Sequence, residues 1–160
     1  MTPNSPVFQG NGHLKPYLHC LSYTAASPEA LEQIASTWAP LIEQRPLLLL
    51  SGLLGSGKTS FVKALVATLQ VASAEAVTSP TFALLNIYGK EGKRQLYHFD
   101  LYRLATEQEF YLQGFDEYLL AGPLCCIEWP ERVASLASLP HCHLQIVHRP
   151  QGGRELLLSF

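Results

Sequence analysis

The segment "PLLLLSG", residues 46–52, runs without a spare residue into "GLLGSGKT", residues 52–59. A short continuous apolar run stopped by glycine has the pattern of a strand buried on both faces. Beyond the glycines, Phe61, Leu65, Val66 and Leu69 recur at helical spacing and predict a helix with one face on a core. A buried strand, a tight glycine-rich loop and a helix in direct succession restrict the chain to an α/β architecture built around that unit.

Gly52-x-x-x-x-Gly57-Lys58-Thr59 fits the phosphate loop of nucleotide triphosphatases. Glycine lets the backbone take positive φ and line up successive N–H groups as an anion nest. The nest feeds a helix N-terminus, whose free N–H groups and dipole also favour phosphate. The candidate nucleotide residues are therefore Gly52, Leu54, Gly55, Ser56, Gly57, Lys58, Thr59 and Ser60. Lys58 is suited to bridge the β- and γ-phosphates, and the Thr59 hydroxyl to ligate Mg²⁺. Chance matches to this pattern occur in well under about one chain in a hundred, so a glycine-rich turn that holds nothing is the weaker explanation.

At 160 residues the chain has the length of one domain able to bury a real core. Residues 1–16 read as a loose, flexible arm with turn formers and no periodicity, and 17–160 as the folded domain. Ser27, Pro28 and Glu29 mark a helix start, followed by Leu31, Ile34, Ala35, Trp38 and Leu41/Ile42 on one face. Pro40 is expected to end or kink that helix. Phe82–Tyr88 and Gln95–Phe99, joined by a turn, predict a hairpin whose second strand is half-buried. Two short helices are expected around Gly114, then a second buried strand in "PLCCIE", then two strands joined at Gln151–Gly153.

The formal net charge is −2, so no global positive field attracts nucleic acid, and RNA would reach this protein through a partner. Cys20, Cys125, Cys126 and Cys142 form no C-x-x-C pair and no zinc spacing; buried reduced thiols in a reducing cytosol are expected. The N-terminus lacks the pattern of a signal peptide, and Leu47–Leu50 is far too short to span a bilayer. A cytoplasmic, soluble protein is expected. His98, His141, His143 and His148 show no ligand spacing and read as structural or surface residues.

A metal bound at Thr59 needs a second protein oxygen. Carboxylates at strand C-termini point into the crevice where ligands bind in open α/β sheets. Two candidates exist, Asp100 in "YHFDLYRL" and Glu128 in "LCCIEWPER"; Glu128 ends the more convincing buried strand, Asp100 an alternating one. "VTSPTF" offers Thr78, Ser79 and Thr81 around the rigid Pro80, a segment able to order against a γ-phosphate as a switch does or to be a plain hydroxyl-capped turn. Arg103, Arg132, Arg149 and Arg154 are candidates for phosphate or base contacts that sequence does not rank.

"GLLGSGKT", "SPTFALLNIY", "HFDLYRL" and "IEWPER", in this order, resemble one family closely: TsaE (YjeE), the P-loop ATPase of bacterial tRNA threonylcarbamoyladenosine biosynthesis. The resemblance spans roughly residues 27–160. It implies a single P-loop NTPase-like domain with a mixed central sheet and flanking helices. It also implies slow hydrolysis of ATP to ADP with Mg²⁺, docking on the protein partners TsaB and TsaD, and resetting of that pair between turnovers, with tRNA reached only through the complex. Carried over by motif, Lys58 holds the phosphates, Thr59 and Glu128 look like the Mg²⁺ ligands, and Asp100 is an acid near the attacking water or metal. Thr81 is similar to the family's switch threonine, Trp129 to the tryptophan after its metal-binding glutamate, and Arg154 to a nucleotide-contacting arginine. The family usually carries an aspartate where this chain has Leu53, which puts any role of that acid in docking or hydrolysis in question.

Three other functions fit a phosphate loop. A small-molecule or nucleoside kinase needs an acceptor site and an arginine-bearing lid, and no arginine-rich insertion is visible. A GTPase usually carries an N-K-x-D-type segment, and none occurs. A scaffold holding ATP without hydrolysis would not need Lys58, Thr59, Asp100 and Glu128 together.

Overall fold

A computed structural model of the chain describes residues 19–119 and 121–160; the arm expected over 1–16 lies outside the described residues. Seven strands form one sheet: β1 Cys20–Ala25, β2 Leu47–Ser51, β3 Leu85–Gly89, β4 Gln95–Asp100, β5 Leu124–Glu128, β6 His141–His148 and β7 Arg154–Ser159. Among the described residues four α-helices accompany it: α1 Pro28–Ile42, α2 Lys58–Thr68, α3 Glu107–Leu112 and α4 Asp116–Leu119. The spatial order is β1-β7-β6-β2-β5-β4-β3. β4, β5, β2 and β6 are mutually parallel, β3 adds antiparallel to β4, and the β6–β7 hairpin continues antiparallel to β1. The sheet is mixed, and the fold is α/β with helices on both faces.

The apolar run reads through to the geometry. β2 sits between β5 and β6, and Leu47 to Leu50 are all buried. Alternation sends Leu48 and Leu50 to one core with α1 and α2, including Trp38, Phe61 and Leu65. Leu47 and Leu49 go to the other, with Phe99, Phe110 and Phe115 from the α3–α4 side. Trp38 lies between Tyr23, edge-on at 5.7 Å, and Phe61, tilted at 6.4 Å. Cys125, Cys126 and Cys142 are buried free thiols. Burial pushes Cys125 up to about 12 and Cys142 up to about 11, so all three act as small apolar groups. Among the described residues no helix is long and apolar enough to cross a membrane.

Two expectations change, the end expected at Pro40 moves slightly, and one strand is added. α1 starts at Ser27 as predicted, the serine hydroxyl accepting from Ala30 N–H at 3.3 Å, but runs two residues past Pro40. The carbonyl that Pro40 leaves without a donor belongs to Ser36, on the exposed face where water reaches it. The strand expected from Phe82 begins only at Leu85, because Pro80–Leu84 forms a turn with Leu84 at φ 64°. β4 is buried from Leu96 to Asp100, with β3 and β5 on its edges and a core on each face. β1 was not anticipated at all: of its six residues only Ala25 is buried.

His143 supplies a test of packing. It is half-buried on β6, with Nε2 against the Ser51 hydroxyl. Burial, with a smaller push from His141, lowers its pKa to about 4. The unfolded chain takes up this proton near 6.5, so stability present above that pH is lost as pH falls toward 4, by roughly 3 kcal/mol at most. His143→Gln should therefore show a shallower fall of the urea midpoint between pH 6.5 and 4 than the wild-type chain; equal slopes would contradict this account.

Candidate functional site

β2, β4 and β5 deliver their C-terminal ends to one edge of the sheet, and the antiparallel β3 and β7 begin there. The four motif segments therefore meet at that edge. The register sets Leu50 opposite Glu128, and Glu128 opposite Asp100, so both acids project onto the face that carries α2.

Between β2 and α2 the backbone turns on Gly52 at φ 149°, Gly55 at 75° and Gly57 at 110°. At Gly52 a Cβ would stand 2.5 Å from the Ile146 carbonyl oxygen and 2.7 Å from Ser56 Oγ, so the loop is wedged against β6. Gly57 is the left-handed N-cap of α2, and its carbonyl accepts from Phe61 N–H at 2.9 Å. Ser56 N–H closes the loop onto the Leu53 carbonyl at 3.0 Å.

Lys58 is buried. Its Nζ donates to the carbonyls of Gly52 at 2.8 Å and Leu53 at 3.1 Å, and lies 4.1 Å from the centre of the Trp129 ring. Burial lowers its pKa, while Glu128, Asp100 and Glu131 oppose that shift. Thr59, in the first turn of α2, donates its hydroxyl to Glu128 Oε1 at 2.7 Å. Asp100 Oδ2 accepts from Ser79 Oγ at 2.9 Å and from Thr81 Oγ1, and Oδ1 accepts Tyr102 N–H at 3.1 Å. The two acids that sequence left as alternatives thus engage different segments: Glu128 the phosphate-loop helix, Asp100 the 79–81 turn.

Trp129 holds the left-handed conformation, φ 58°, with its N–H on the Leu50 carbonyl at 3.2 Å and its ring 4.9 Å from that of Tyr102. A tryptophan in this region costs about 1–3 kcal/mol; the result is an aromatic floor beneath Lys58. Arg154, at the start of β7, donates from Nε to the Ser56 carbonyl at 2.9 Å and from Nη2 to Gly55 at 3.5 Å, bracing the loop through its carbonyls. Leu53, Leu54 and Phe82 are 73%, 75% and 83% exposed, and Arg103 covers the Phe82 ring at 4.2 Å. Ser60 is exposed on the first turn of α2.

One residue at the site was missed by sequence reasoning. His98 is wholly buried and its Nε2 lies 2.9 Å from Glu128 Oε1. Its signal was strand parity: it stands two residues before Asp100, on a strand adjacent to the one ending in Glu128.

These residues fit a nucleotide and a hard divalent cation. Among the described residues, Ser56 Oγ is a buried polar atom with no hydrogen-bond partner. Gly52 makes a cradle too tight for any side chain. Thr59 and Glu128 offer hard oxygen donors of the type Mg²⁺ takes beside phosphate oxygens. A separate concavity of about 500 Å³, lined by Arg45, Lys93 and Arg94 among others, opens at the opposite edge of the sheet and belongs to none of this.

A family model described as Threonylcarbamoyl adenosine biosynthesis protein TsaE matches residues 25–156. The chain is 41% identical over 121 residues to the tRNA threonylcarbamoyladenosine biosynthesis protein TsaE of Treponema pallidum, covering 74% of this chain and 85% of that protein. It is 34% identical over 140 residues to the protein of the same name from Bacillus subtilis, covering 88% and 84%. The crystal structure of Bacillus subtilis YdiB matches with a TM-score of 0.66 at 28% identity, over 88% of this chain and 85% of that one.

The loop geometry separates two otherwise similar substitutions. Gly52→Ala must displace β6 backbone, at a cost of about 1–3 kcal/mol, and should lower Tm by roughly 2–12 °C. Gly55→Ala meets no atom within 4 Å and carries only local strain of about 1 kcal/mol. Equal melting temperatures for the two variants would contradict the wedge against Ile146.

Proposed function

Because the chain belongs to the TsaE family, whose curated relatives are tRNA threonylcarbamoyladenosine biosynthesis proteins, we propose that it binds ATP with Mg²⁺ in the loop 52–60, hydrolyses it slowly, and acts as the nucleotide-dependent partner that resets a TsaB–TsaD pair between turnovers of tRNA modification. The observation that carries this reading is the pairing of Thr59 with Glu128 beside the buried Lys58. In it a hydroxyl and a carboxylate from different elements converge where a phosphate loop would present its ligand.

In this reading the loop N–H groups and Lys58 hold the triphosphate, with two of the ammonium's three N–H groups already on carbonyls. Thr59 and Glu128 hold the cation, which when bound neutralises charge on the phosphate oxygens. Asp100 and Thr81 stand together at the edge where the γ-phosphate would end, with Asp100 placed to orient water and Thr81 able to move with the switch segment. Arg154 acts on the nucleotide through the loop it braces. Leu53 supports the same assignment, since the cradle uses its carbonyl while its side chain points away; the family's aspartate is therefore dispensable for binding.

The exposed Leu53, Leu54 and Phe82 beside the site support docking of a protein partner rather than direct capture of tRNA. The net charge of −2 supports the same route, in the cytoplasm. Lys58→Ala should weaken ATP binding about 10- to 100-fold, the range for a lost charge-assisted contact. It should also abolish sustained threonylcarbamoyl transfer in a reconstituted system. Glu128→Gln should keep metal-free ATP binding and lose the Mg²⁺-dependent gain. Normal modification activity from the Lys58→Ala protein would sink the reading.

A further inference from the structure

Glu128 is held from two sides. Thr59 O–H and His98 Nε2 both reach Oε1, at 2.7 and 2.9 Å, while neither contacts Oε2. A carboxylate only accepts, so Nε2 carries the hydrogen. Across the ring, Nδ1 lies 3.5 Å from the Tyr88 hydroxyl, with the two rings tilted at 6.1 Å. The single hydrogen of that hydroxyl can go to Nδ1 or to the Thr78 carbonyl at 3.0 Å, while its oxygen accepts Thr78 N–H at 3.3 Å and Asn86 Nδ2–H at 3.2 Å. One residue further on, Ser79 and then Thr81 donate to Asp100.

A continuous set of contacts therefore runs from the first turn of α2 to the 78–81 segment: Thr59, Glu128, His98, Tyr88, Thr78. His98 is its pivot. The ring is fully buried, so water cannot substitute for either partner, and its orientation is set by Glu128 on one side and Tyr88 on the other. Oxygen ligands of metals are commonly aimed by such hydrogen-bonded neighbours, and removing one typically lowers metal affinity about 10- to 100-fold.

The geometry points to His98 as a positioning residue that aims Glu128 at the cation and, through Tyr88, ties the metal site to the position of the 78–81 segment. This rests on the reading of the loop as an Mg²⁺·ATP site. Its consequence is that loading of the metal is felt at Thr78 along a route separate from any direct contact of Thr81 with phosphate.

The test measures binding of a fluorescent ATP analogue by the full chain with Mg²⁺ and with EDTA, together with amide hydrogen exchange of residues 78–81 in both states. His98→Ala should lower the Mg²⁺-dependent gain in affinity about 10-fold while metal-free affinity changes less than about twofold. His98→Gln, which can still donate to Glu128, should recover much of that gain. It also serves if the alanine variant does not fold. Tyr88→Phe should keep the gain but lose the Mg²⁺-induced protection at 78–81. Wild-type Mg²⁺ gain and protection in all three variants would overturn the proposal alone. A wild-type chain that binds no nucleotide would remove both the proposal and the reading beneath it.

Discussion

The turn from β2 into α2 is the constraint on which the site depends. Gly52 to Gly57 must carry the chain from the end of a strand paired on both edges to the start of a helix packed on one face. Ile146 on β6 leaves no room for a side chain at Gly52, so the loop's path is fixed by its neighbour as much as by its own glycines. Lys58 and Thr59, as the first helical residues, then inherit their directions. Thr59 faces the strand beside β2, and register decides what ends that strand. Leu50 pairs with Glu128, and parity turns the acid toward α2. A one-residue slip of β5 would present Ile127 or Trp129 instead.

Three buried charged side chains crowd this edge, and each is held by polar groups of its neighbours. Lys58 uses two carbonyls and an aromatic ring. Glu128 uses a hydroxyl and an imidazole, and Asp100 uses two hydroxyls and a backbone N–H. Among the described residues no salt bridge joins Lys58 to either acid; the acids act on it as neighbouring charges that resist its deprotonation. A direct buried ion pair would have to be broken before a phosphate or a cation could enter, at a cost of several kcal/mol. Hydroxyls can rotate and carbonyls can accept a second partner, so the groups that hold these side chains can also admit a charged ligand at small expense.

Much of this was legible in sequence, and the failures have physical causes. The apolar run of β2, the "LCCIE" of β5 and the stripe of α2 are buried on the faces their periods announce, because packing decides them and composition reports packing. β1 is an edge strand held by backbone pairing to β7 with one buried side chain, so no hydrophobic pattern marks it. The strand expected from Phe82 starts late because the hydroxyls of Ser79 and Thr81 bend the chain to reach Asp100, a contact 19 to 21 residues away in sequence. Asp100 and Glu128 could not be told apart because both end strands at one edge; only pairing across the sheet assigns one to Thr59 and the other to the turn. His98 was read only as structural or surface, since a polar residue within a strand shows no partner until the sheet pairs it with Glu128.

The division of labour between the acids bears on which exposed side chains each of them positions. Glu128 belongs to the rigid part: a buried strand end, a helix turn and a locked imidazole. Asp100 is equally fixed, through its N–H on the Leu84 carbonyl at 3.1 Å, but the groups it holds lie on a short turn whose Phe82 is exposed. Phe82 and the loop residues Leu53 and Leu54 are the large apolar side chains displayed on these two segments. A hydroxyl can leave Asp100 by side-chain rotation alone, but a shift of the 79–81 backbone would carry Phe82 with it, while Leu53 and Leu54 sit on a loop braced by Ile146 and Arg154. Leu53, Leu54 and Phe82 thus form an exposed apolar surface whose two parts hang on different segments, one on the loop beside Glu128 and one on the turn held by Asp100.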